Sequence, residues 1–249
     1  MAAEINEPTR PSAPTIAEVF DDFLADQAKR LKPRTLAKYR SVVGLLGSYL
    51  NGYGHETLSQ QEGALFEEHY NARGDAHKEF CEIFGPEHIL PGVGMFLGYF
   101  MVRKVMAGAD LKRAAGTVTK KLAAWLAEKG YVGEAAARGA AQRGAEAARD
   151  LPDAERAARI LDDAFGDLPF DPNTAPEGAY YDFDHYTIAR IEPGKLWLES
   201  FLTEGGPIGP IPVPRRATTL LKKNWDISCC IFRGRGRWLL ADVANVYPH

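Results

Sequence analysis

The sequence predicts an α + β protein in which the helical and the β-rich parts form separate domains. Apolar residues recur at helical spacing from Thr15 to about Tyr131. After Ala179, short runs of β-forming residues alternate with proline and glycine. The chain has 249 residues, of which 45% are hydrophobic and 25% are charged, and this is enough for two modest domains.

Changes in composition divide the chain into four predicted segments. These are a flexible lead-in (1–14), a helical domain (15–131), an Ala/Arg-rich helical linker (132–178) and a small antiparallel β-barrel-like domain (179–249). The linker should be exposed to solvent, because its small side chains can bury little apolar surface. Within it, Pro152 is predicted to begin a further helix.

Capping and turn residues predict where the first helices begin. Thr15 and Glu18 have the spacing of a capping box, and Pro33 suits the first turn of a second helix. The stretch 92–106 is the most apolar in the chain and predicts a buried central helix. Asp110 is expected to cap the helix that follows it.

The β-rich domain is predicted to contain five short strands. Turn signals occur at Glu192-Pro193-Gly194 and at Gly234-Arg235-Gly236. The predicted strands cover residues 186–191, 195–201, 208–213, 225–232 and 237–246.

Several features of the sequence predict a cytoplasmic protein. The longest apolar candidate for a membrane span, 95–106, contains Arg103 and Lys104, so we expect no membrane association. The first residues lack the basic and apolar regions of a secretory signal. The chain has three cysteines, and the adjacent pair Cys229 and Cys230 favours reduced thiols over a disulfide framework.

The net charge of −3 conceals a strong segregation of charge along the chain. Residues 29–40 include six basic and no acidic side chains, and residues 101–131 include seven basic and two acidic ones. Residues 208–249 again contain seven basic and two acidic side chains. Such blocks can form the positive face that a nucleic-acid backbone requires, although each block is also compatible with an ordinary solvated surface.

The front half of the chain resembles the SAM-like N-terminal, or core-binding, domain of tyrosine recombinases and phage integrases. The resemblance rests on Phe20-Asp21-Asp22-Phe23-Leu24, the turn Leu31-Lys32-Pro33-Arg34-Thr35-Leu36, Tyr39 ahead of Val42-Val43, and Thr117 to Leu122 with Trp125-Leu126. It covers about residues 15–131, half of the chain. The acidic stretch 53–91 is longer than in that domain.

The resemblance implies a four-helix bundle that clamps double-stranded DNA. By position, it assigns DNA contacts to Lys32, Arg34, Thr35, Lys38, Arg40, Lys120 and Lys121. The residues themselves support the first of these contacts, because a helix that begins at Pro33 offers amides and a hydroxyl beside cations, which suits a phosphate. The alternative is that Thr35 only caps the helix and the cations are solvated.

The catalytic residues of a recombinase are not found in the sequence. No histidine has an arginine three positions later, and Tyr247 is better explained as an aromatic residue at the end of a strand than as a terminal nucleophile. No glycine-rich nucleotide-binding pattern occurs. We therefore predict no enzymatic activity and no cofactor.

Two groups of side chains are candidate metal ligands. They are His69, His77, Cys81 and His88 in the helical domain, and Asp182, Asp184 and His185 at the start of the β-rich domain. The first group matches no standard zinc spacing, and the second is more typical of a capped turn than of a catalytic cation site. We predict no metal site, with a metal-dependent hydrolase as the third hypothesis.

The hairpin tip of the β-rich domain provides the remaining candidate contacts. Arg233, Arg235 and Arg237 alternate with glycines that keep the backbone close to a ligand. Trp225 and Trp238 could stack on bases, but are expected in the core. The leading hypothesis is a non-catalytic, nucleoid-associated DNA-binding protein. The second is an adaptor that binds a protein partner through its C-terminal domain.

Overall fold

The computed structural model describes residues 14–176, 178–201, 203 and 205–248, and almost all of the predicted lead-in lies outside them. It confirms the α + β class, because helices precede an antiparallel sheet. The chain divides into two compact units. Unit 1 comprises the residues up to Val93 together with Leu122–Gly139, and unit 2 comprises Gly94–Lys121 together with the residues from Ala140 onward. The four predicted segments stay a prediction.

The helices of the described residues have the following bounds. They are α1 (Ile16–Ala28), α2 (Pro33–Tyr53), α3 (Gln60–Tyr70), α4 (Phe80–Ile83), α5 (Val93–Met95), α6 (Met101–Arg103), α7 (Ala109–Glu128), α8 (Glu134–Phe165) and α9 (Arg215–Thr218). Short 3-10 turns lie at Gly54–Thr57, Gly74–Ala76, Pro86–His88 and Pro172–Thr174, and a π-helical turn lies at Phe96–Phe100.

Helix α1 begins as its capping box predicts. The Thr15 hydroxyl accepts a hydrogen bond from the Glu18 amide at 3.3 Å, and the Glu18 carboxylate accepts one from the Thr15 amide at 2.8 Å. These reciprocal bonds satisfy amides that the first helical turn leaves without intrahelical partners. The signal is local in sequence, and for that reason it could be predicted correctly.

The core of unit 1 is built around aromatic rings from three helices. Phe23 of α1 stacks on Tyr39 of α2 with ring centroids 6.0 Å apart, and meets Trp125 of α7 edge to face at 5.4 Å. Phe23 is fully buried, and the other two rings are less than a tenth exposed. Such pairs contribute about 0.5–1.5 kcal/mol each beyond the apolar area that they bury.

The predicted central helix of residues 92–106 forms as a helical run from Val93 to Arg103, with the π-helical turn in its middle. Phe96 and Met101 in this run are fully buried. The predicted cap at Asp110 is wrong. Helix α7 already begins at Ala109, so Asp110 lies inside its first turn, where a carboxylate favours the helix dipole.

The Ala/Arg-rich tract does not form the exposed connector that its composition predicts. It belongs to α8, a single 32-residue helix with Pro152 in its interior, so the predicted new start at Pro152 is also wrong. Small residues recur every three to four positions along one buried stripe, which continues across the proline. Its buried members are Ala137, Ala140, Gly144, Ala147, Leu151, Ala154, Ala157 and Leu161.

Helices α7 and α8 approach each other closely at two glycines in unit 2. A Cβ atom at Gly116 would lie 2.3 Å from the Ala148 nitrogen and 2.4 Å from the Gly144 oxygen. A Cβ atom at Gly144 would lie 2.7 Å from the Gly116 oxygen and 2.8 Å from the Lys120 nitrogen. The two backbones are therefore in direct contact, and only glycine fits at either position.

The C-terminal sheet is antiparallel and curls into a half-barrel. Its strands are β1 (Tyr180–Glu192), β2 (Lys195–Glu199), β3 (Ile208–Pro212), β4 (Asp226–Gly234), β5 (Arg237–Ala241) and β6 (Val246–Tyr247). The strand order is β3-β2-β1-β4-β5, and β6 pairs with β4. The strands at the two ends of this order, β3 and β5, also contact each other, which is the sign of the curl.

Both faces of β4 are buried. Ile227, Cys229 and Ile231 point into the main core of unit 2, which includes Ala154, Ala157 and Leu161 of α8. Cys230 and Phe232 point to the opposite face, under Leu168 and Phe170. Trp225 is 3% exposed and Trp238 packs at the margin of the main core, as predicted for these two rings.

Two tight turns fix the register of the hairpins. Glu192 pairs with Lys195 across Pro193-Gly194, and Gly234 pairs with Arg237 across Arg235-Gly236. Arg235 and Gly236 both have positive φ, at 50° and 78°, which is the geometry of a type I′ turn. No helix of the described residues is long and apolar enough to cross a membrane.

The contact between the two glycines gives a direct test of the fold. We expect Gly116→Ala to lower the midpoint of thermal unfolding, because overpacking costs about 1–3 kcal/mol and exceeds the gain of up to about 1 kcal/mol in helix propensity. The matched control is Gly139→Ala in α8, where a Cβ atom meets no atom within 4 Å, and this change should raise the midpoint. Equal effects of the two substitutions would contradict the close approach.

Candidate nucleic-acid interface

The candidate DNA contacts in unit 1 lie at the start of α2. Lys32 is the N-cap, has an extended backbone and makes no capping bond with its side chain, and Pro33 is the first helical residue. The first turn contains no acidic residue. Since no side chain caps this helix, the expectation that Thr35 serves as its cap is wrong. The side chains of Lys32, Arg34 and Thr35 are exposed, which agrees both with a phosphate contact and with the alternative of solvated cations.

The loop before α2 is held by α1. The Gln27 carbonyl accepts hydrogen bonds from the amides of Arg30 and Leu31, at 3.1 and 3.0 Å. The Gln27 side chain, which is almost fully buried, accepts a further bond from the Arg30 guanidinium. The loop is therefore ordered before any ligand binds, which lowers the entropic cost of association.

Asp26 anchors the same region through three bonds, and we call this cluster the Asp26 clasp. Its carboxylate accepts a hydrogen bond from the Trp125 indole at 3.0 Å and pairs with the ammonium groups of Lys29 at 2.7 Å and Lys129 at 3.1 Å. The Lys29 hydrogen bond, followed by those of Trp125 and Lys129, holds the pKa of Asp26 well below its ordinary value. The bond to Asp26 in turn raises the pKa of Lys129.

Only part of the predicted basic set on α2 shares one face of the helix. Arg34 and Lys38 are four residues apart and are neighbours on the helix surface. Arg40 is six residues after Arg34, so it lies about 120° around the helix from it. Lys32 and Arg34 make no ion pair with any described residue, whereas Lys29 and Arg30 are engaged with α1. Lys38 is half-buried.

The other candidate contacts belong to unit 2. Lys120 and Lys121 of α7 are both exposed, although the Lys120 backbone lies against Gly144. In the β4–β5 hairpin, Arg233 pairs with Trp238 across the strands and its guanidinium lies 5.8 Å from the ring centroid. Arg237 occupies the neighbouring pair and therefore points to the opposite face of the hairpin.

The hairpin arginines therefore do not form one cluster. Arg233 and Arg237 lie on opposite faces, and Arg235 lies at the turn with a positive φ. All three are exposed. A single flat ligand surface could contact Arg235 together with one of the other two arginines.

Three of the four helical candidates for metal binding are engaged in other bonds. The His77 ring bonds the Tyr70 carbonyl at 2.7 Å, and His88 lies 3.3 Å from the Glu62 carboxylate. The Cys81 thiol is buried against the Gly47 carbonyl, and burial raises its pKa to about 12. Among the described residues, no group of three or more potential ligands converges on one point.

The acidic candidates of the β-rich domain are separated by the strand. Asp184 and His185 are neighbours in β1 and point to opposite faces of the sheet. His185 packs against Tyr247 with ring centroids 4.8 Å apart, and the Asp182 carboxylate accepts bonds from Tyr180 and from the Phe183 amide. This arrangement is a local turn and strand, and it does not bring the three side chains to one cation.

Tyr247 is a packed strand residue. It lies in β6, is 4% exposed, and burial raises the pKa of its hydroxyl. A nucleophilic tyrosine has to reach its substrate and lose its proton readily. Neither condition is met here.

The residues that organise this candidate interface could be predicted only in part. The pair of Asp26 and Lys29 has the i, i+3 spacing of a local helix pair and was visible in the sequence. Trp125 and Lys129 are about a hundred residues away along the chain, so their convergence on Asp26 required the fold.

A comparison of this chain with models of protein families, with curated proteins and with solved structures found no match. The resemblance to the core-binding domain of tyrosine recombinases therefore stays an expectation from the pattern of residues.

The Asp26 clasp makes stability depend on pH in a defined direction. A carboxylate whose pKa is depressed in the folded state stabilises that state above its unfolded pKa of about 3.9, and this contribution is lost as the pH falls. We expect Asp26→Asn to unfold at a lower temperature than the wild type above about pH 5, with the difference shrinking below about pH 4.

The unfolding midpoints of both proteins would be measured from pH 3 to pH 7 at roughly constant ionic strength, because salt screens exposed pairs. Asp22→Asn is the matched control, since Asp22 is exposed on the same helix. A difference between wild type and Asp26→Asn that does not change with pH would contradict the assigned role of the clasp.

Proposed function

We propose that the protein is a non-catalytic, nucleoid-associated protein of the cytoplasm that binds the backbone of duplex DNA through the start of α2. The observation that carries this proposal is the exposed pair of Lys32 and Arg34, which have no ion-pair partner among the described residues. They flank a helix start that has no acidic residue in its first turn.

The physical chemistry of the site suits a phosphate. The start of an α-helix carries a partial positive charge and amides without intrahelical partners, and both favour an anion. Arg34 adds a guanidinium, and Thr35 adds an exposed hydroxyl. Lys38 lies one turn further along on the face of Arg34, so a ligand that follows this face meets a second cation.

The proposal assigns the helices of residues 15–131 to a SAM-like bundle and the sheet of residues 179–249 to a small barrel. Phe23, Tyr39 and Trp125 support the first assignment, because they join α1, α2 and α7 around one core. The contact between β3 and β5 supports the second. Lys120, Lys121, Arg40 and the hairpin arginines Arg233, Arg235 and Arg237 would add further contacts.

Charge reversal at the helix start tests the proposal. We expect the wild-type chain to bind a short duplex of mixed sequence with an affinity that falls steeply as salt is raised, because bound cations release counterions. Arg34→Glu combined with Lys38→Glu should weaken binding at low salt by at least about tenfold. It should also reduce the slope of log K against log salt by about one for each lost contact.

The control is Lys223→Glu, since Lys223 is an exposed cation outside the proposed interface. This variant should bind DNA with an affinity within about twofold of the wild type, because it retains all of the proposed phosphate contacts. Fluorescence anisotropy with labelled duplex across a salt series provides the measurement. The absence of binding at low salt would refute the proposal, and purification with a stoichiometric protein partner and no nucleic acid would favour the adaptor.

A further inference from the structure

Unit 2 contains a cleft of about 250 Å³ among α6, α7, α8 and the segment before β6. Five polar side chains line it, and they come from three separate stretches of the sequence. They are Lys112 of α7, Glu155, Arg159 and Asp162 of α8, and Asn245. The cleft shares no residue with the DNA contacts proposed above, and the inference below does not depend on them.

Lys112 is the least ordinary residue of the cleft. It is 4% exposed, although lysine is almost never fully buried without a partner. An ammonium group has three N–H donors, and the one partner of Lys112 among the described residues is the Glu155 carboxylate. The pair with Glu155 uses one of these donors, so an oxygen atom in the cleft can accept a hydrogen bond from the remaining ones.

The charges of the cleft are balanced and mixed in sign. Glu155 is shared, because its other oxygen lies 3.4 Å from the Arg159 guanidinium. Asp162 follows Arg159 by three residues on α8, lies on the same side of the helix, and has no ion-pair partner among the described residues. Two cations and two carboxylates therefore line the cleft; Lys112 is buried, whereas Arg159 and Asp162 are exposed to solvent. Such a lining disfavours an ion of single sign and favours a ligand that carries both charges.

The remaining walls of the cleft are apolar. They come from Val102, Leu151, Ala154, Ala158, Ala244 and Val246. Asn245 is held by Ser228, whose hydroxyl accepts its amide hydrogen bond at 3.0 Å and whose own amide bonds its carbonyl at 2.9 Å. The volume is below the range of roughly 300–1,000 Å³ that drug-sized ligands occupy, so the cleft suits a smaller molecule.

From these observations we propose that the cleft binds a small zwitterion of the amino-acid class. The carboxylate of the ligand accepts hydrogen bonds from the free N–H groups of Lys112. Its ammonium group donates to the carboxylate of Asp162, and its aliphatic part packs against Ala154 and Ala158. The cleft is a binding site in this account, and no reaction is assigned to it.

Calorimetric titration of the full chain with a panel of free α- and ω-amino acids tests the proposal. Each amino acid is paired with the carboxylic acid that lacks its amine and with the amine that lacks its carboxylate, and inorganic phosphate is included. At least one amino acid should bind with a Kd of about 1 mM or better, and at least about tenfold more tightly than its single-charge analogues, because each of those leaves one charged wall group unpaired.

Two variants locate the binding within the cleft. Lys112→Met removes the ammonium and keeps the apolar stem, and Ala158→Leu fills the space without changing a charge. Each should weaken binding at least about tenfold. The matched controls are Arg113→Met on α7 and Ala164→Leu on α8, both at exposed positions outside the cleft.

Far-UV circular dichroism would show that Ala158→Leu remains folded, so the test survives if loss of the buried ion pair unfolds Lys112→Met. Failure of every amino acid to bind would overturn the proposal. Equally tight binding of the single-charge analogues or of phosphate would also overturn it, as would unchanged binding by Ala158→Leu.

Discussion

The contact between Gly116 and Gly144 is the packing constraint on which the long helices depend. The backbones of α7 and α8 touch there, and a single added methyl group at either glycine would overlap backbone atoms. Residues on either side of this contact serve different cores: Trp125 packs with Phe23 in unit 1, and Leu161 packs under the sheet of unit 2. Within unit 2, these two glycines therefore fix how closely α7 and α8 pack.

Which cations are exposed at the start of α2 depends on the bonds of the neighbouring basic side chains as well as on the number of basic residues. Residues 29–40 contain six basic side chains, but Asp26 engages Lys29, and Gln27 engages Arg30. Those bonds order the loop and leave Lys32 and Arg34 exposed at its end. A preordered pair of cations at a helix start is a better phosphate ligand than a flexible basic segment, because less entropy is lost on binding.

Local signals in the sequence predicted local structure well. The capping box at Thr15 and the turn at Arg235-Gly236 depend on neighbouring residues, and both appear in the structure. The five predicted strands also form, but β1 begins earlier, at Tyr180, and the last predicted strand is divided into β5 and β6. The Ala/Arg-rich tract is helical, as its composition predicts, but the expected exposure is wrong, because small side chains form a buried stripe along it. Glycine and alanine bury backbone against backbone, and this packing continues past Pro152 without a new helix start.

The candidate sites also combine features that local sequence predicts with features that depend on the fold. Arg34 and Arg40 lie outside the apolar stripe of α2 and are exposed, and the four-residue spacing of Arg34 and Lys38 places them on one face. The Trp125 indole on Asp26 and the grouping of Lys112 with Asp162 and Asn245 join parts of the chain that are far apart in sequence. No spacing rule connects such residues, and they could be found only once the fold was known.

Hydrogen–deuterium exchange of the full chain, with and without saturating duplex DNA at low salt, tests the central claim most directly. The account predicts slower exchange of the backbone amides of residues 29–36, because the start of α2 and the loop before it would lie against the phosphates. Unchanged exchange there, with protection confined to other segments of the chain, would contradict it.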